Sequence, residues 1–247
     1  MDYRFKIWRG DAEGGEFKTY NTELEHGMVV LDAIHIIQAK QSNDLAVRWN
    51  CKAGKCGSCG MEINGKPKLS CMTRMNEFAE NKVITIQPMQ SFPVIKDLVT
   101  DVSWNYKQNK MIPPFNPKEK KNKKGYTMYQ PDVERIQEFR KCIECYLCQD
   151  VCHVLRDHGK KEVFVGPRFM IRLASLEMHP LDQEDRISRI KNEFGSGMCN
   201  ITRCCTDVCP EHIQITDNSI IPLKERVIDR YYDPVWKLFK KIIKKLK

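Results

Sequence analysis

Apolar and polar positions alternate at the start of the chain, which therefore opens as a sheet. Residues 3–9 alternate around Phe5 and Ile7 and residues 16–20 are strand-like again, predicting a hairpin over a Gly14-Gly15 turn. The period then lengthens. Val30, Leu31, Ile34, Ile37 and Gln38 recur at helical spacing and give one apolar face to pack on the sheet, with His35 read as a surface or packing residue. Asn64-Gly65 is a hairpin turn between Met61-Glu62-Ile63 and a strand ending at Ser70. Residues 83–87 supply a further strand. Residues 91–99 predict the start of a helix with Pro93 near its beginning, and residues 111–125 a Pro- and Lys-rich loop whose lysines face solvent. From Asp132 onward the pattern is helical: Val133, Ile136 and Phe139 first, then residues 169–176 opened by Gly166-Pro167-Arg168, then 188–194, and finally 223–231.

At the C-terminus, over residues 235–247, Val235, Trp236, Leu238, Phe239, Ile242, Ile243 and Leu246 fall on one half of a helical wheel and six lysines on the other. Such a helix suits an anionic membrane surface, where each Lys contributes about 1 kcal/mol; docking on a partner subunit is the alternative. The tail also accounts for most of the net charge of +9, because without its six lysines 35 basic residues face 32 acidic ones, a balance of +3. The remaining lysines lack interleaved aromatics, so no nucleic-acid partner is expected. No apolar run approaches the roughly 20 residues that span a bilayer.

Twelve cysteines change the picture most. Four precede residue 75 and eight follow residue 140, which favours two domains. The N-terminus has no apolar signal core, so a reducing compartment is expected, where clustered cysteines mean metal. Cys51, Cys56, Cys59 and Cys71 follow the C-x4-C-x2-C…C spacing of a plant-type [2Fe-2S] site. Gly54, Gly57, Ser58 and Gly60 let that loop curl and aim amide N–H groups at the cluster sulfurs. With the strands and the packed helix, this predicts a β-grasp ferredoxin domain.

Downstream, Cys142, Cys145, Cys148 and Cys152 form C-x2-C-x2-C-x3-C, the run in which the fourth cysteine of one set serves the other cluster of a pair. A second run holds Cys199, Cys205 and Cys209, with Thr202 where the counterpart of Cys145 would stand. Crossing the runs assigns Cys142, Cys145, Cys148 and Cys209 to a [4Fe-4S] cluster. Cys152, Cys199 and Cys205 remain, three thiolates for a [3Fe-4S] cluster. Cys204 is surplus, and reads as a packed side chain before a spare ligand. Structural zinc is the competing reading, but seven interleaved cysteines do not form one tetrahedron. The expected fold class is α+β: a β-grasp [2Fe-2S] domain over residues 1–105, an all-α bacterial-ferredoxin-like domain with two clusters over 106–234, and the basic amphipathic helix over 235–247.

Three ligand sets in this order, with Phe92-Pro93-Val94-Ile95-Lys96-Asp97-Leu98 and Gly166-Pro167, resemble the iron–sulfur subunit of the succinate dehydrogenase/fumarate reductase family along essentially the whole chain. The resemblance implies a partner subunit carrying FAD, which interconverts succinate and fumarate, and a membrane anchor of cytochrome b type with haem b, which exchanges electrons with quinone. It implies a peripheral position on the cytoplasmic face of a bacterial cell membrane. Members of the family often place Pro after the ligand equivalent to Cys152, a Trp shortly beyond, and a His after the equivalent of Cys199. Here His153, a Trp-less 154–157 and Asn200 stand there. These differences fit a site built differently, for menaquinone or carried mainly by the anchor, better than a ubiquinone pocket of that kind, with His153, Asn200 and Thr202 the candidates to line a quinone site.

The expected role is a wire, because the chain carries no carboxylate pair, nucleophile or phosphate loop that would make a catalytic centre of its own. A rival of the same class is an electron-transfer subunit for thiol-linked fumarate reduction or 2-hydroxy-acid oxidation. Such relatives tend to carry repeated Cys-Cys-Gly motifs, whereas Cys204-Cys205-Thr206 occurs once here.

Overall fold

The computed structural model describes residues 2–79, 82–119 and 125–234. The expected amphipathic helix at 235–247 and the lysines at 120, 121, 123 and 124 lie outside them.

Strands β1 (Asp2–Asp11) and β2 (Gly14–Glu23) pair antiparallel from Asp2↔Glu23 to Asp11↔Gly14. The turn is therefore Ala12-Glu13, two residues earlier than the glycines suggested. Gly15 instead pairs with Gly10, and a Cβ on Gly15 would lie 2.3 Å from the Arg9 carbonyl oxygen. Helix α1 (Val30–Lys40) buries Val30, Leu31, Ile34 and Ile37 as its period requires. Its first free N–H groups donate to Thr73 O (2.9 Å) and Ser70 O (3.1 Å), which ties the helix to the segment carrying Cys71. Strands β3 (Gly60–Ile63) and β4 (Lys66–Leu69) form the Asn64-Gly65 hairpin, both turn residues at positive φ, and β5 (Val83–Gln87) runs parallel to β1. The sheet order is β4-β3-β5-β1, continued beyond β1 by two short strands, β6 (Val94–Lys96) and β7 (Val99–Thr100), with β2 also on β1. Its core is Phe5, Ile7, Ile34, Ile37, Ile84 and Ile86, all fully buried.

Residues 91–99 are not a helix. They form β6 (Val94–Lys96) and β7 (Val99–Thr100), turning at Asp97, whose φ is 49°. The β-branched Val94, Ile95 and Val99 suit a strand, and the buried Asp97 carboxylate accepts from Gly10 N (3.0 Å), Ala46 N (2.8 Å) and Arg9 Nε (3.0 Å). The helix comes later, as α2 (Ser103–Met111), with Asp101 accepting from Ser103 N at 2.8 Å.

The second half is helical. α3 (Gln130–Gln137) runs into a tight turn ending at Lys141; α4 (Leu147–Asp150) and α5 (His153–Arg156) are single turns; α6 (Pro167–Glu177) is central. Around α6 lie α7 (Ile187–Asn192), the short α8 (Cys204–Asp207) and α9 (Ile221–Tyr231), the last entered through a π-helical turn at Ile215–Ile220. Phe169, Met170, Leu173 and Ala174 of α6 pack with Ile190, Phe194, Ile220 and Leu223. Each fully buried side chain of this kind contributes about 1.5–3 kcal/mol. Arg186, fully buried, pairs with Asp182 at 3.0 Å and donates to the carbonyls of Pro113 and Pro114, fastening the loop that follows α2.

The halves meet through a third cluster of buried residues that contains Leu31, Cys59, Leu69, Cys71, Phe92, Tyr146 and Leu147. Polar groups lock the same seam. Glu62, with no exposed surface, pairs with Arg156 at 2.7 Å and accepts from Gln87 Nε2 at 2.6 Å. Asp150 accepts from Ser91 N at 2.9 Å, Lys161 donates to Ser91 O, and Gln149 bridges Asn105 (3.3 Å) and Val165 O (3.0 Å).

Candidate metal centres

The first candidate centre lies on the loop before β3. Lys52, Gly54 and Gly57 have φ of 54°, 65° and 68°, so the backbone coils back on itself. That coil turns the amides of Ala53 and Lys55 toward Cys51 Sγ, both at 3.3 Å. Cys51 is exposed, Cys56 half-buried, and Cys59 and Cys71 buried. Burial acts to raise the Cys56 thiol, but hydrogen bonds involving Ser58 and the Cys51 backbone outweigh it and bring the group to about 6. Burial, with Cys59 alongside, pushes Cys71 up to about 12. The loop thus offers soft sulfur donors already facing N–H groups, the setting an iron–sulfur cluster needs.

The second centre is better enclosed. Cys142, Cys145, Cys148 and the distant Cys209 line one small cavity together with Ile143, Ile171, Ile213 and Ile215. The four residues expected to share a cluster thus come together in space, although Cys209 lies far along the chain from the others. Burial pushes Cys145 up to about 12 and Cys148 well above its ordinary value, so metal uptake must displace protons from these thiols. Arg168 also lines this cavity. It is 5% exposed, pairs with Glu144 at 2.5 Å, and is kept charged, against burial, by Cys142 and Glu144. Sequence reasoning took Arg168 only as part of a helix start. The signal was available: a cation in the first turn of a helix opposes the helix dipole and needs an anionic neighbour.

The two cysteine runs have the same backbone. Cys145 sits between Glu144 (φ 57°) and Tyr146 (φ 62°), and Thr202 between Ile201 (φ 63°) and Arg203 (φ 64°). Cys148 is the second residue of α4, and Cys205 the second residue of α8. Thr202 therefore takes the place of Cys145 in three dimensions as well as in the alignment of the runs. Around this third centre Cys152 and Cys205 are buried and Cys199 half-buried. Burial pushes Cys152 to about 11 and Cys205 to about 12; Cys199 and Cys204 add to both, and Thr216, hydrogen-bonded to Cys205 Sγ at 3.6 Å, pulls Cys205 the other way. Ile201 N donates to Cys199 Sγ at 3.5 Å, as Ala53 N does to Cys51. Cys204 is half-buried rather than packed in the core, with its Sγ 3.4 Å from Thr202 Oγ1.

Of the three quinone-site candidates, Asn200 and Thr202 are exposed, and His153 begins α5 with its Nε2 buried and without a hydrogen-bond partner. A groove of about 600 Å³ beside Cys199 is lined by Lys191, Gly197, Ile201, Lys224, Ile228 and Tyr232. Lys224, which donates to Cys199 O at 2.5 Å, ties that groove to the second cysteine run. No helix among the described residues is long and apolar enough to cross a membrane.

Residues 4–107 match the family model for a 2Fe-2S iron–sulfur cluster binding domain and residues 138–213 that for a 4Fe-4S dicluster domain. An uncharacterized iron–sulfur protein of Methanococcus maripaludis is 34% identical over 238 residues, which are 93% of this chain but 44% of that protein. The chain thus spans less than half the length of that relative. The fumarate reductase iron–sulfur subunit of Mycobacterium tuberculosis is 30% identical over 210 residues, 80% of each chain. A chain of the solved Mycobacterium smegmatis Sdh1 complex in the apo form superposes with a TM-score of 0.92 at 60% identity, covering 95% of this chain and 98% of that one. Similar in sequence and in backbone from the sheet through the paired cysteine runs, the chain belongs to the family of iron–sulfur subunits of succinate dehydrogenases and fumarate reductases.

Proposed function

We propose that this chain is the electron-transfer subunit of a membrane-associated succinate:quinone oxidoreductase, passing electrons singly between the FAD of a catalytic partner and quinone at a membrane anchor. The observation that carries this reading is the convergence of Cys142, Cys145, Cys148 and Cys209 on one cavity, next to a second run of identical backbone and against a [2Fe-2S]-type loop. The names of the mycobacterial relatives, a fumarate reductase subunit and an Sdh1 complex, support it.

In this reading Cys51, Cys56, Cys59 and Cys71 would hold a [2Fe-2S] cluster, Cys142, Cys145, Cys148 and Cys209 a [4Fe-4S] cluster, and Cys152, Cys199 and Cys205 a [3Fe-4S] cluster, with Thr202 at the position of the missing fourth ligand. Bound clusters supply one-electron steps between a two-electron flavin and quinone. The protein's own contribution is to hold thiolates, to donate amide N–H groups from Ala53, Lys55 and Ile201 to sulfur, to set the Arg168 cation beside the buried centre, and to keep water out with isoleucine side chains. Succinate and fumarate chemistry belongs to the FAD-bearing partner. The anchor is of cytochrome b type with haem b, the quinone is menaquinone, and residues 235–247 add contact with the anionic cytoplasmic face of the membrane.

Low-temperature EPR of the anaerobically purified protein tests this. An oxidised [3Fe-4S] signal, replaced on dithionite reduction by a [2Fe-2S] signal and a coupled [4Fe-4S] signal, is the expected result. Two four-iron clusters, or zinc in place of iron, would overturn the assignment.

A further inference from the structure

We propose that Gly57 is a positioning residue that sets the spacing between the first and second cluster sites. The proposal rests on the reading that Cys51, Cys56, Cys59 and Cys71 hold one cluster and Cys142, Cys145, Cys148 and Cys209 the next. A Cβ built on Gly57 would lie 2.6 Å from Cys145 Cα, 2.9 Å from Cys145 Cβ and 2.9 Å from Cys145 N. Those are distances that real Cβ atoms do not adopt, and what stands in the way is ligand backbone rather than the mobile end of a side chain. The chain between Cys56 and Cys59 therefore rests directly on the α-carbon of the middle ligand of the next run.

The backbone demand at Gly57 is shared by other glycines; the contact is not. Gly54, in the same loop at φ 65°, meets only the flexible Met72 side chain. Gly65, at φ 74°, meets nothing within 4 Å. Gly60 repeats the contact more loosely, its Cβ direction pointing at Leu147 Cδ2 (3.1 Å) and Cys145 O (3.4 Å). Cys59, Cys71, Tyr146 and Leu147 fill the same buried cluster, so the two ligand loops share one wall with no layer between them. Any side chain at 57 has to part that wall. Because the magnetic coupling of two paramagnetic centres falls steeply with separation, such a parting is measurable without turnover.

The test is microwave power saturation of the [2Fe-2S] EPR signal in the dithionite-reduced complex, where a reduced neighbouring [4Fe-4S] cluster speeds its relaxation. Gly65→Ala carries the same left-handed strain without the contact and is expected to saturate at the wild-type power. Gly57→Ala, with iron and sulfide content unchanged, is expected to saturate at several-fold lower power, and Gly60→Ala to move the same way by less. Wild-type saturation in a fully loaded Gly57→Ala protein, or an equal fall in Gly65→Ala, would overturn the proposal. Should Gly57→Ala not retain its clusters, Gly60→Ala decides: a fall supports the shared wall and an unchanged saturation power overturns it. Absence of either signal from the wild-type complex would instead overturn the cluster assignment itself, and the spacing role with it.

Discussion

Replacing Arg156 by Met should destabilise the protein far more than loss of a surface ion pair. Arg156 reaches from α5 across the seam to Glu62 of β3, whose carboxylate has no exposed surface and whose other oxygen accepts from Gln87. Methionine fills much of the same space, so the chief effect is electrostatic: a carboxylate left buried without its cation, against Asp150, whose own carboxyl is pushed up to about 7 by burial and by Glu62. Breaking a buried pair by removing one partner costs about 3–5 kcal/mol, against about 0–1 kcal/mol for an exposed one. For a domain of 150–250 residues about 2–4 °C of Tm corresponds to 1 kcal/mol, which puts the fall at roughly 6–20 °C. Anaerobic thermal unfolding followed by circular dichroism, with cluster absorbance as a second probe, measures it. Adding Glu62→Gln to Arg156→Met should restore much of the loss, because a neutral amide still meets Gln87 and no charge is stranded. A fall of less than about 2 °C, or no restoration in the double variant, would refute the claim that this pair is desolvated and joins the two halves.

Thr202→Cys should replace the oxidised [3Fe-4S] EPR signal with that of a reducible [4Fe-4S] cluster; persistence of the three-iron signal would mean that Thr202 is not its cause. Arg168→Gln removes a buried cation beside Cys142, Cys145 and Cys148 and should lower the potential of that cluster by on the order of 60 mV, a tenfold shift for one electron, as read by EPR redox titration. Because burial holds the thiols of Cys71, Cys145 and Cys205 near 12 in the metal-free chain, they are neutral at every working pH, and thiolate formation during anaerobic iron–sulfide reconstitution should release protons and grow more favourable from pH 7 to 8.5. Proton release absent from a weakly buffered reconstitution would contradict that. Deletion of residues 235–247 should weaken binding of the subunit to anionic vesicles, and equal binding would leave the tail as a partner-docking element.

The cluster-bearing parts of this fold were legible because their constraints are local. Cysteine spacing marks two cluster-binding domains, Asn64-Gly65 fixes a hairpin, and the period of Val30, Ile34 and Ile37 fixes a helix and its buried face. The failures have long-range causes. Residues 91–99 read as a helix because Pro93 opens one well, but Asp97 is held in its turn by Arg9, Gly10 and Ala46, all more than 50 residues away. No local propensity contains those partners. Arg168 did carry a local signal, its charge in the first turn of a helix, but the anions that answer it, Glu144 and Cys142, come from a separate run of sequence. The seam of Glu62, Arg156, Asp150 and Ser91 is made of ordinary polar residues that gain meaning only when the two halves meet.

The matching backbones around Cys145 and Thr202 bear on how such a chain changes over time. Left-handed residues flank both positions whether the one between them is a cysteine or a threonine, so the shape of the loop does not depend on a ligand being there. On the proposed assignment, a single substitution at 202 would alter the number of thiolates offered to the third centre, and with it the number of irons held and the potential, without asking the surrounding protein to refold. The duplicated loop separates inheritance of the scaffold from inheritance of the redox ladder, and lets selection adjust the second while leaving the first untouched.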